Sequence, residues 1–254
     1  MKSLTGLLIC LALLSFSGIK VNNGWNEYRL KGKVKSIVFL AYNYSLGQTF
    51  LQYKGIVKFD KNGYELSQTN YNPDSVTSIM AYAYKFASDG SVIERTQLDE
   101  RERKPGWRTT YSYDKSKRLI ETKRCSQEGD LYQKVVFKYD EGGNNTEQHS
   151  YCGDGGAQWL ARFKYDAQGN IIEYDERSIP LDSGRIHTEQ YSVKGTPVSM
   201  YTKSLLDKYF QSEYTYTYDQ AEHDKQDNWI QVMEIRNAGL ITDTTIHKRI
   251  ITYY

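Results

Sequence analysis

The chain is short of the residues that build most active sites: it has four prolines, four histidines, four methionines and three cysteines among 254 residues. His149, His187, His223 and His247 are scattered, with no pair at metal-ligand spacing, so they are read as surface or sheet residues and not as metal ligands. Neither sign of charge dominates, because 33 Lys and Arg face 31 Asp and Glu for a net of +2. There is no basic footprint for nucleic acid. A phosphate loop, a dinucleotide fingerprint, a Gly-x-Ser-x-Gly elbow and a His-Glu-x-x-His helix are all missing, so neither a cofactor nor catalytic machinery is expected. What remains is 39% hydrophobic and 25% charged, the composition of a folded protein. It holds 23 Tyr and 19 Gly, a balance that favours strands and turns over long helices.

The one long apolar run comes first. Met1-Lys2-Ser3 is followed by an apolar stretch from Leu4 to Phe16, then by the small residues Ser17 and Gly18. At about 13 residues this run is too short for the roughly 20 that span a bilayer as a helix. It reads as a secretory signal over residues 1–17, cleaved before Gly18, which places the protein in the periplasm, at the cell surface or outside. Ile9 before Cys10 is a poor match to a lipoprotein signal, so no lipid anchor is expected. No transmembrane helix is expected in the mature chain, which retains Cys125 and Cys152.

A self-comparison exposes a repeat. An aromatic followed by a turn recurs at Phe59, Phe86, Tyr113, Tyr139, Tyr165, Tyr191 and Tyr218, at intervals of 26 or 27 residues. The turns read Asp60-Lys61-Asn62-Gly63, Ser88-Asp89-Gly90, Asp114-Lys115-Ser116, Asp140 to Asn144 and Asp166 to Asn170, rich in residues that tolerate positive φ. The strand before each turn alternates. One face carries Met80, Tyr82, Tyr84 and Phe86, then Trp107, Thr109, Tyr111 and Tyr113, then Trp159, Ala161, Phe163 and Tyr165, and Tyr214, Tyr216 and Tyr218. The interleaved residues Lys85, Ser112, Lys138, Lys164, Gln190 and Thr217 are polar, as in an antiparallel sheet with one solvated face. The return strand has an apolar residue at plus seven from the anchor, Leu66, Ile93, Ile120, Ile172 or Val198, with Thr146 in the fourth unit. Glu94, Glu121, Glu147 and Glu173 follow at plus eight, on the polar face opposite the plus-seven residue, to pair with lysines across the strands.

The run Phe163-Lys164-Tyr165-Asp166-Ala167-Gln168-Gly169-Asn170-Ile171-Ile172-Glu173 resembles the YD repeats of RHS-type proteins and of secreted repeat proteins from Bacteroidetes. The resemblance covers about residues 53 to 236. The second unit departs with Phe86-Ala87, and the sixth with Tyr191-Ser192 and Glu189. In the large family members the repeats wind into a hollow shell around a toxic C-terminal domain; a chain ending at Tyr254 is expected to be a small stand-alone relative without one.

The fold class expected is all-β, an antiparallel meander of about seven β-hairpin repeats forming one large twisted, curled sheet or a partly closed barrel or shell. Fourteen strands at about 4.8 Å spacing would make a flat sheet about 65 Å wide, and twisted sheets curl well before that. The concave side should be the aromatic one. Residues 18–52 are expected to form an N-terminal cap, 53–236 the repeats and 237–254 a C-terminal capping strand. The two cysteines occupy near-equivalent places in adjacent units. In a meander such places lie about 9.6 Å apart, beyond disulfide reach, whereas a one-coil-per-repeat solenoid would stack them. Hairpin turns favour the meander and unpaired thiols.

Function is less legible. Tyr82, Tyr84, Trp107, Tyr111, Trp159 and Tyr214 form an aromatic face that is either core or a groove for sugars. Three readings follow. The first is an exported non-enzymatic scaffold binding a protein partner or a surface glycan, marked by an aromatic groove left open to solvent. The second is an outer-membrane β-barrel, which would need an aliphatic outer band. The third is a carbohydrate-active enzyme, which would need converging carboxylates. Oligomeric state is not encoded.

Overall fold

The reversals after the aromatic anchors are copies of one turn. Asp60, Asp114 and Asp140 each accept at the backbone carbonyl an N–H from three residues on, from Gly63, Lys117 and Gly143 at 2.9 to 3.1 Å, and each donates its own N–H to the carbonyl four residues on. The aspartate side chain closes the loop: Asp114 Oδ1 accepts the N–H groups of Ser116 and Arg118 at 2.8 and 2.9 Å, and Asp60 does the same for Asn62 and Tyr64. The aspartate of the Tyr-Asp motif is therefore a turn cap. The fourth turn position is left-handed, with φ of 88° at Gly63 and 86° at Gly143, where a Cβ is costly. Gly63 has a second reason, since a Cβ there would come within 2.6 Å of the Trp25 ring.

These turns join sixteen strands in chain order. The first four are β1 (Val34–Ser45), β2 (Gln48–Phe59), β3 (Glu65–Asn72) and β4 (Ser75–Phe86). The wall continues through β5 (Val92–Asp99), β6 (Pro105–Tyr113), β7 (Leu119–Cys125), β8 (Leu131–Tyr139), β9 (Asn145–Cys152), β10 (Ala157–Tyr165) and β11 (Ile171–Ser178). It ends with β12 (Gly184–Tyr191), β13 (Pro197–Ser204), β14 (Glu213–His223), β15 (Trp229–Ala238) and β16 (Ile241–Tyr253). This computed structural model describes residues 23–28, 30–72, 75–99, 104–167, 171–179, 184–191, 197–204, 213–238 and 241–254. The signal-like segment and residues 168–170 and 192–196 lie outside the described residues.

Each strand pairs antiparallel with its neighbours in sequence, which is the meander expected. The curl goes to completion: β1 pairs with β2 through Ser36–Lys58 and with β16 through Ser36–Thr252, so the sheet closes into a barrel. Closure removes the exposed edges that an open sheet would present. A barrel of this strand number is too wide for its side chains to fill, and a lumen follows. The two buried clusters agree, since each stays on one stretch of wall and neither joins opposite sides.

Six hairpins carry a β-bulge at the same place. Lys85 pairs with Glu94 but Phe86 pairs with Val92, leaving Ile93 as the extra residue. This corrects the alternation read from sequence. The anchor's inward partner is the residue at plus six, and the plus-seven residue bulges outward with Glu94 and its equivalents. Leu66, Ile93, Ile120, Ile172 and Val198 are 37 to 45% exposed, and a bulge explains why glutamate and aliphatic share a side. A second correction concerns the last hairpin. Its capped turn is Asp224 to Asn228, and Tyr218 lies within β14 opposite Glu234. The polar segment after Tyr218 is thus strand as far as His223 and capped turn beyond it.

Cys125 and Cys152 are both free. β8 runs between them, with Cys125 opposite Leu131 and Cys152 opposite Gln133, and they belong to opposite faces of the sheet.

At the capped-turn end, α1 (Gly24–Glu27) and the segment to Lys33 lie against the wall. Trp25 Nε1 donates to Val34 O at 2.7 Å, Gly24 N to Gly63 O at 2.7 Å, and Lys31 N to Asn228 Oδ1 at 2.6 Å. Trp25 and Tyr28 pack on a cluster of Leu30, Val34, Ile37, Val57 and Phe59, all at most 8% exposed.

Candidate functional site

The anchor tyrosines are occupied structurally. Tyr113, Tyr139 and Tyr165 donate their hydroxyls to the carbonyls of Val92, Leu119 and Asn145 at 2.7, 2.6 and 2.7 Å. Each acceptor is the plus-six residue of the preceding unit, beside the bulge where the strand ladder is interrupted, so each phenol latches one repeat to the last. This accounts for tyrosine where a purely apolar core would take leucine. Burial raises all three phenols, Tyr113 to about 12.

Beyond the anchors the inward face turns polar. Arg95 pairs with Thr109, Thr109 with Arg124 and Arg124 with Gln133, giving one row across β5, β6, β7 and β8. Tyr82 and Gln97 are opposed one row further from the capped turns. Together with Trp107 and Thr122 these residues line an inward-facing cavity of about 260 Å³. The Arg124 guanidinium lies 4.6 Å from the Trp107 ring and 5.9 Å from Tyr132, whose rings are 4.9 Å apart. Arg95 lies 5.0 Å over Tyr82. No carboxylate lines the cavity.

The six aromatics singled out from sequence therefore separate. Tyr82 and Trp107 line the cavity. Tyr84 packs with Tyr64 and Phe86 at 5.3 and 6.3 Å. Tyr111 faces Thr122 one row nearer the capped turns. Trp159 packs on the cluster of Ala161, Phe163, Ile171 and Tyr174, and the side chain of Tyr214 lies outside the described residues. Sequence reasoning missed Arg95 and Arg124. Counted with the bulge, plus nine and plus eleven from the anchor face inward, and these arginines stand at those offsets in the second and third units.

The outer wall is charged. Lys85–Glu94, Lys138–Glu147 and Lys164–Glu173 pair across strands at 2.7, 2.8 and 2.8 Å, and Glu121 pairs with Lys123 at 2.8 Å. Hydrogen bonds from His149 and Lys138, then from Arg162, pull Glu147 down to about 2. A carboxylate held ionised in that way is a structural node, not a proton donor at neutral pH. The Glu222-His223-Asp224 clump is likewise structural, since Asp224 caps its turn and Glu222 accepts from Gln231 at 2.8 Å. Among the described residues no group of three or more His, Cys, Asp or Glu is placed to hold a metal ion.

The fold and site define a closed sixteen-stranded antiparallel barrel with an aromatic and polar inner wall. No protein-family model and no curated protein matches the sequence. Among solved structures, the chain is similar to a porin-like protein from Bacteroides uniformis ATCC 8492, at 10% identity and a TM-score of 0.57 over 87% of this chain and 99% of that one. At that identity the likeness is one of fold. Chains of the Photorhabdus luminescens Tc holotoxin pore and of a TcdB2–TccC3 complex also match, at 9% identity and TM-scores of 0.21 and 0.23, with this chain spanning 16% of each.

Proposed function

We propose that the protein is an exported, non-enzymatic binding barrel that takes a glycan against the inner wall at Tyr82 and Trp107. The observation that carries this reading is the inward cavity, where two half-buried rings stand beside amide, hydroxyl and guanidinium groups. Rings paired with a few polar groups are the usual means of holding a sugar, whose apolar faces stack while its hydroxyls bond. Repeats of the YD type supply the wall, and the signal-like leader supplies the export.

The porin-like fold raises a membrane-embedded alternative, which the outer wall disfavours. A membrane barrel needs an outward apolar band about 25 Å tall. Here β11 presents Glu173, Asp175 and Arg177 outward in succession, with Arg177 bonded to Asp175 at 3.2 Å. The test is a glycan array probed with detergent-free protein, wild type and W107A. Binding by the wild type that the variant loses supports the reading; absence of binding, or protein that stays in solution only with detergent, would refute it.

A further inference from the structure

We infer that the cavity selects an acidic sugar, one bearing a carboxylate or a sulfate, over its neutral counterpart, with Arg124 as the group that receives the acid. The inference rests on the glycan-binding reading and names the ligand class of the same site. Arg124 differs from Arg236, another cation on the inward face. Arg236 bonds to Asp243, whereas among the described residues Arg124 has no carboxylate partner, only the Trp107 and Tyr132 rings at 4.6 and 5.9 Å. A guanidinium stacked on a ring is oriented without spending its donors, because the N–H bonds lie in the plane and the ring occupies the face. Its edge remains available as a fork, the geometry that a carboxylate or sulfate takes with two parallel hydrogen bonds.

Arg95 adds a second positive charge in the same row, two strands from Arg124 with Thr109 between them, hence about 10 Å away at Cα level. No carboxylate is in the lining, so the cavity's own lining does not oppose an anion beside Arg124. The rings then have a double role, since Tyr82 and Trp107 each back an arginine and offer an apolar border to the sugar. A neutral sugar would offer the Arg124 fork no charged partner.

The test is titration calorimetry of the purified protein with two matched pairs: tetragalacturonate against a neutral galactose tetramer, and a chondroitin sulfate tetrasaccharide against its desulfated form. Either acidic member should bind at least about tenfold more tightly than its partner, the gain expected of a charged hydrogen-bonded pair, and the two pairs distinguish carboxylate from sulfate. R124Q should reduce that ratio to near one while leaving the circular dichroism spectrum unchanged, and K138A on the outer wall should leave the ratio intact. Equal binding of acidic and neutral members would overturn the selection and leave the glycan reading standing. An acidic preference that survives R124Q would overturn the assignment to this cavity, and no binding by any of the four would remove both.

Discussion

The barrel is held in two different ways on its two sides. Where β1, β2 and β16 meet, the wall is a conventional core: Val34, Ile37, Val57 and Phe59 are at most 1% exposed and the N-terminal segment packs over them. Along β5 to β9 little is deeply buried, and the wall is held instead by latches and pairs that repeat with the hairpin. They are a phenol to the previous unit's carbonyl, an aspartate under each turn and a lysine opposite a glutamate. Local devices suffice where each unit follows the last in sequence. Joining residue 36 to residue 252 closes a loop of more than two hundred residues at an entropic cost that a neighbouring hairpin does not meet, and the larger of the two apolar clusters lies at that joint, the smaller one lying on β10 and β11.

The contrast predicts a hierarchy of damage. F59A at the seam should cost about 3 to 5 kcal/mol, the range for a buried phenylalanine, measured as a lowered denaturation midpoint. Y139F in the repeat wall removes one latch and should cost about 0.5 to 1.5 kcal/mol. If the two variants cost the same, the division between seam and wall is wrong.

The latches also predict an alkaline limit. The phenols of Tyr113, Tyr139 and Tyr165 are raised in the fold, so they favour the neutral form. Their contribution is intact below the ordinary phenol value of about 10 and is lost as pH climbs from there through the folded value, about 12 for Tyr113. A pH titration of stability should fall in that window, and Y139F should fall less steeply because phenylalanine cannot ionise. The smallest effect belongs to the outer wall, where K138A should cost about 0.2 to 1 kcal/mol at low salt and less at about 1 M salt. A cost unchanged by salt would show that Lys138 acts by packing.

The hairpins were legible in sequence because their signals are local. Asp-Gly turns and the alternation of Met80, Tyr82, Tyr84 and Phe86 give period and sidedness together. The bulge was not, because one extra residue turns Ile93 outward beside Glu94 without altering the composition of the strand. Closure was not legible either, since Val34 to Ser45 carries no anchor pattern and its partner strand lies at the other end of the chain. At the site, Tyr82 and Trp107 were singled out as rings. Arg95 and Arg124 were not, although plus nine and plus eleven fall on the aromatic side with or without the bulge, because only rings were sought on that side.

Residue-resolved hydrogen exchange on β1 and β16 tests the central claim most directly. If the barrel is closed, successive amides of both strands are protected alike, comparably to those of β8 and β9, because each strand has a partner on either side. Rapid exchange at every second amide of β1 and β16, with the intervening ones protected, would mean that the seam is open and that the lumen account fails with it.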